Sequence, residues 1–135
     1  EQFGVIDSMS RILFNKPTPT RLAKLWVNFQ QKHDFNPIHR HGGAVSFVIW
    51  IDIPYDINVE KHHSSSKNSA APVPGYFQFT YVNILGEISS HNIPADSKFK
   101  NQMVMFPAGL PHCVYPFRTS DEYRISVSGN FVFDT

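Results

Sequence analysis

The run "AVSFVIWIDIPY", residues 44 to 55, constrains the fold more than any other part of the chain. Val45, Phe47, Ile49, Ile51 and Ile53 fall on one side of an extended strand, with Ser46, Val48, Trp50 and Asp52 on the other. Pro54 ends it, because proline has no N–H to give to a strand ladder. "LWVNFQQ" alternates in the same way, Leu25, Val27 and Phe29 against Trp26, Asn28 and Gln30. "GYFQFTYVNIL", "NQMVMFP" and "EYRISVSGNFVF" add strands bounded by Gly, Pro and Asn/Asp/Ser turn material. Helical periodicity is scarce, and 12 Phe, 5 Tyr and 10 Pro suit strands and turns better than helices. Six or more short strands within 135 residues predict a single all-β domain, a sandwich or a barrel.

Two stretches fall outside this pattern. "SMSRILF" fits a short helix or a strand equally well, and "NKPTPT" after it reads as an extended linker. Residues 56–75, "DINVEKHHSSSKNSAAPVPG", are polar and small without either period, which predicts a mobile loop inserted between strands and able to cover a substrate. The chain opens on Glu1 rather than Met, as a fragment lacking an upstream segment would.

With 12 Lys and Arg against 11 Asp and Glu, the net charge of +1 gives no field that would gather nucleic acid or an anionic membrane. No apolar run approaches the roughly 20 residues of a spanning helix. Cys113 is the single cysteine, so there is no disulfide framework, and a reducing compartment is expected. These features predict a cytoplasmic protein that acts on a small molecule or a peptide. Its oligomeric state is not legible.

Seven histidines are present, and "NPIHRHGG" holds the pair that matters most, His39 and His41. Residues two apart on a strand project from one face with Cα atoms roughly 7 Å apart, so the two imidazoles can share a metal; equally, they can be solvated side chains in a turn. A third ligand must come from elsewhere, and "FPAGLPHCVYPF" offers His112 behind a turn stiffened by Pro107, Gly109 and Pro111. Three neutral imidazoles at strand ends suit Fe(II) or Zn(II). Cys113 follows His112 directly and so faces the opposite side, towards the core. His33, His62, His63 and His91 lie in polar surroundings and read as solvated side chains.

"EYRISVSGNF" separates Tyr123, Ile125, Val127 and Phe131 from Arg124, Ser126, Ser128 and Asn130. The polar side meets solvent in an ordinary sandwich, or lines the cavity of a ligand-holding barrel. In the second case Arg124 matches a carboxylate and Ser126 adds a hydrogen bond.

Taken in order, His39-x-His41, His112 and Arg124-x-Ser126 resemble the H-x-D/E…H…R-x-S framework of the 2-oxoglutarate/Fe(II)-dependent oxygenases, especially compact members from bacteria and marine phages. The resemblance spans residues 25 to 133. It implies a double-stranded β-helix, the jelly-roll barrel shared with cupins, with Fe(II) held by His39, His41 and His112. It also implies 2-oxoglutarate bound by Arg124, Ser126 and Asn130, and a dioxygenase that hydroxylates a substrate while releasing succinate and CO2. The departure is at position 41, where the family pattern has Asp or Glu; a neutral histidine leaves the metal centre more positive.

The same letters suit a cupin, since "HRH" matches its H-x-H and "PAGLPH" its P-x-G-x-x-H. A three-histidine dioxygenase or isomerase is therefore the alternative expectation, although it gives Arg124 and Ser126 no task. A non-enzymatic β-sandwich binding or structural module is the third.

Overall fold

The computed structural model describes residues 3–135. "SMSRILF" lies in a helix, α1 (Phe3–Phe14), which stops where Asn15 takes a left-handed φ of 57° and Pro17 follows. The linker is tied back to this helix, because the Thr18 N–H donates to Ser10 Oγ at 3.2 Å.

Eight strands follow, forming two antiparallel sheets. The first sheet contains β1 (Thr20–Gln30), β3 (Val45–Asp52), β6 (Met103–Pro107) and β8 (Arg124–Phe133), in the order β1-β8-β3-β6. The second contains β2 (Asn36–His39), β4 (Phe77–Val82), β5 (Ile88–Ile93) and β7 (His112–Val114), in the order β2-β7-β4-β5. Successive strands alternate between sheets except at the β4–β5 hairpin, and this crossover order is that of the jelly roll, or double-stranded β-helix. The all-β expectation holds. Among the described residues no helix is long and apolar enough to cross a membrane.

Packing between the sheets decides which side of each strand looks inward. On β3 it is Ser46, Val48 and Trp50, and Trp50 meets Phe77 edge-on with ring centroids 6.1 Å apart. Phe47 crosses the outer side over Gly129, where an added Cβ would lie 2.6 Å from its ring. On β1 the apolar set Leu25, Val27 and Phe29 is exposed, Phe29 by 64%, while Trp26, Asn28 and Gln30 turn to the interior. The barrel thus encloses the more polar sides of β1 and β8, which pair along their whole length from Thr20↔Phe133 to Gln30↔Arg124.

The segment read as a featureless loop contains a helix, which corrects that expectation for its first half. In α2 (Ile57–His62) the Asp56 side chain caps the N-terminus by accepting from the Asn58 N–H at 2.7 Å. Ile57 and Glu60 are buried one turn apart, a helical signal too short to register as a period. Glu60 is fully buried and accepts from the Arg118 N–H at 3.0 Å and the Thr119 N–H at 2.7 Å, and from Thr119 Oγ1. It thereby latches α2 to the chain that enters β8. Glu60→Ala is expected to leave these donors without acceptors and cost about 3 kcal/mol; a urea midpoint unchanged from wild type would exclude the latch.

Candidate metal centre

β2 and β7 bring the first two histidines together, because His39 and His112 are register partners across that pair. Their ring centroids are 4.3 Å apart. His41 lies two residues beyond β2, where the loop is fixed by two features. Its own N–H donates to the Ala108 carbonyl at 2.9 Å, and Gly43 takes a φ of 116° with the Phe131 carbonyl where any Cβ would stand. The Gly in "HRHGG" thus serves to turn His41 back toward the barrel. Its ring sits 5.1 Å from each of the other two.

One ligand atom from each of the three histidines falls within 4.8 Å of the others, and among the described residues this is the only such group of His, Cys, Asp or Glu. Three nitrogens each at ~2.1 Å from one ion lie about 3 Å apart, so small ring rotations close the set. Tautomers favour this. His39 Nδ1 lies 2.7 Å from the Pro37 carbonyl and His112 Nδ1 2.9 Å from the Leu110 carbonyl. A carbonyl only accepts, so each Nδ1 carries the proton and each Nε2 keeps its lone pair.

His112 is 3% exposed, stacked on Phe77 at 5.4 Å and met edge-on by Phe106 at 4.8 Å. Burial lowers its pKa from 6.5 to about 4, against the upward pull of the Leu110 carbonyl and with help from His39 and His41. Burial, then His39 and Lys24, lower that of His41. Neutral imidazoles therefore need lose no proton to bind a metal at neutral pH.

A cavity of about 530 Å³ runs from this cluster between the sheets. Arg124, Ser126 and Ser128 line it from β8, and Asn28 and Gln30 from β1. Arg124 is 4% exposed, and none of the ion pairs among the described residues includes it. Its Nη1 donates to Tyr55 Oη at 2.5 Å and the Gly75 carbonyl at 2.9 Å, and its Nη2 to the Tyr115 carbonyl at 3.2 Å. Asn28 Nδ2 donates to the hydroxyls of Ser126 and Ser128, both at 3.2 Å.

No other residue singled out in the sequence joins the cluster. Asn130 shares the side of β8 that holds Arg124, but it accepts from Ser46 Oγ at 2.7 Å and does not line the cavity. Cys113 is buried on the opposite side of β7, near Gln78. His62 and His63 bond locally to Asn58 and Ser65. The nearest acidic residues downstream of His41 do not join the cluster either, since Asp52 pairs with Lys100 and Asp56 caps α2. No residue of 56–75 lines the cavity; Gly75 takes part only through its carbonyl to Arg124. Sequence reasoning missed Gln30, Asn28, Tyr55 and Tyr115. For Asn28 and Gln30 the signal was available, since both stand on the polar side of an alternating strand.

Fold and site define a double-stranded β-helix protein whose cavity carries a histidine cluster able to hold one metal ion. The family described as "Putative 2OG-Fe(II) oxygenase" matches residues 24–130, and the chain belongs to it. Among solved structures, an oxidoreductase of the 2OG-Fe(II) oxygenase family from Burkholderia pseudomallei superposes with a TM-score of 0.56 at 15% identity. The match covers 93% of this chain and 51% of that one, so the chain spans about half its length, and at this identity the likeness concerns the fold. No curated protein matches the sequence.

The depressed pKa of His112 fixes a pH dependence for the metal-free protein. Between pH 6.5 and about 4 the unfolded chain binds a proton at this residue and the folded chain does not. Its contribution is present in full above that window and is lost as pH falls through it. Thermal unfolding of chelator-treated protein should show Tm falling across this range, and His112→Asn should make the fall shallower; parallel slopes would contradict the assignment.

Proposed function

We propose that the protein is an Fe(II)- and 2-oxoglutarate-dependent oxygenase that hydroxylates a small-molecule or peptide substrate. The observation that carries this reading is the presence, in one cavity, of a three-imidazole cluster and a buried guanidinium without an acidic partner. His39, His41 and His112 would hold the iron, His39 and His112 through Nε2. When bound, the metal and co-substrate supply hydroxylation of a C–H bond, with O2 divided between that product and the succinate formed as CO2 leaves.

The chain's own residues bind and orient the co-substrate. Tyr115, whose carbonyl holds Arg124, is three residues from His112, about 10 Å along an extended chain. A five-carbon dicarboxylate chelated at one end would extend its other carboxylate towards Arg124. Arg124 offers that far end a planar cation, fixed by Tyr55 and Gly75. The Ser126 hydroxyl accepts from Asn28 and so keeps its own proton to donate. Trp50, Phe77 and Phe106 line the cavity beside the cluster and would screen it from water.

A cupin-like three-histidine dioxygenase or isomerase is the second reading, favoured by the absence of an acidic residue from the cluster. It would not use Arg124. The two readings separate in an anaerobic titration of metal-free protein with Fe(II), then 2-oxoglutarate, followed by the visible charge-transfer band of a chelated 2-oxo acid. One saturable equivalent is expected, with His39→Ala and His112→Ala losing the metal. Arg124→Ala should keep the metal and weaken 2-oxoglutarate by about 2–5 kcal/mol. Iron binding without a band would favour the cupin reading, and no iron binding at all would refute both.

A further inference from the structure

Gln30 stands directly across from Arg124 in the β1–β8 register. Its Oε1 lies 2.5 Å from Arg124 Nη2 and 3.2 Å from Nε. Those two nitrogens form the forked edge with which a guanidinium grips a carboxylate bidentately. The atom facing them must be the amide oxygen, because arginine has no acceptor to offer an NH2 group. The amide is held in that orientation from behind, Nε2 donating to the Asp34 carbonyl at 2.6 Å. Gln30 thus presents to Arg124 the oxygen of a carboxylate mimic without its charge.

We propose that Gln30 is an internal competitor for the carboxylate-binding edge of Arg124, displaced when the distal carboxylate of the co-substrate docks. The inference rests on the 2-oxoglutarate reading of the cavity. Arg124 cannot turn to offer another edge. Its Nη1 is fixed by Tyr55 and Gly75, and the guanidinium lies over the rings of Tyr55 at 5.8 Å and Phe117 at 5.5 Å. Gln30 is the exchangeable partner, a half-buried side chain whose second bond is to a solvent-exposed turn.

Exchange favours an anion, since a charge-assisted hydrogen bond is roughly twice as strong as a neutral one. A ligand ending in a carboxylate therefore displaces the amide, and one ending in a methyl or an amide does not. Gln30 thereby lowers the apparent affinity of dicarboxylic 2-oxo acids by the fraction of protein in which it engages Arg124, and leaves that of acids without a distal carboxylate unchanged.

The test is the dissociation constant of the anaerobic Fe(II)-loaded full chain for 2-oxoglutarate, from the charge-transfer band and from calorimetry, with pyruvate as a 2-oxo acid lacking the distal carboxylate. Gln30→Ala and the shape-conserving Gln30→Met should bind 2-oxoglutarate about tenfold more tightly and leave pyruvate unchanged. Gln30→Glu, which places a carboxylate permanently on Arg124, should weaken 2-oxoglutarate about a hundredfold. Unchanged or weaker 2-oxoglutarate binding by both neutral variants would overturn the proposal, as would an equal gain for pyruvate. Arg124→Ala separates the two levels. If it weakens 2-oxoglutarate while the neutral Gln30 variants do not tighten it, the oxygenase reading stands and the competitor fails. If it binds like wild type, the carboxylate is not at Arg124 and both fail.

Discussion

Much of the barrel's interior is arranged around one buried charge. Removing a guanidinium from water costs several kcal/mol unless its donors are met, and Arg124 has no carboxylate to meet them. The fold answers with dipoles drawn from four parts of the chain: Gln30 of β1, Tyr55 after β3, Gly75 before β4 and Tyr115 after β7. None of these segments can shift far without leaving a guanidinium N–H unpaired. The Glu60 latch serves the same end from outside, since the Arg118–Thr119 backbone that it grips belongs to the link between β7 and β8. A cation held by neutral acceptors is satisfied in its hydrogen bonds but not in its charge, and that difference is what an incoming carboxylate can use.

At the other end of the cavity, order comes from backbone carbonyls. Pro37 and Leu110 fix the tautomers of His39 and His112, each two residues before the histidine that it orients. Both are short-range contacts, one within β2 and one across the turn that precedes β7. The convergence itself is long-range: the β2–β7 register and the Gly43 turn place three imidazoles from distant parts of the chain around one point.

Legibility in the sequence followed the range of the interaction. Alternation in "AVSFVIWID" and "RISVSGNF" marks β3 and β8 because strand periodicity is local. The His39, His41 and His112 grouping was legible from spacing and turn chemistry. Which side of each strand faces inward was not, since β1 exposes Leu25, Val27 and Phe29 and encloses Asn28 and Gln30, against the usual expectation for apolar residues. The partner of Asn130 was not legible for a related reason. It shares the parity of Arg124 on β8, but lies opposite Ser46, whose hydroxyl claims it. The short helix α2 was hidden by its length, with two buried positions in six residues.

The histidine at position 41 bears on both ends of the cavity. Under the proposed function, three neutral imidazoles bring no negative charge to a divalent ion, and Arg124 adds a further positive charge within the same low-dielectric space. A family member with an acidic ligand offsets part of that charge with its own side chain. Under the same reading the two carboxylates of the co-substrate would do so here, one at the metal and one at Arg124. Because one molecule carries both carboxylates, the two positive ends would be neutralised in a single binding event. Gln30 fits this arrangement as a neutral placeholder. An acid at position 30 would neutralise Arg124 permanently, removing the distal charge that draws the ligand into register with the histidines.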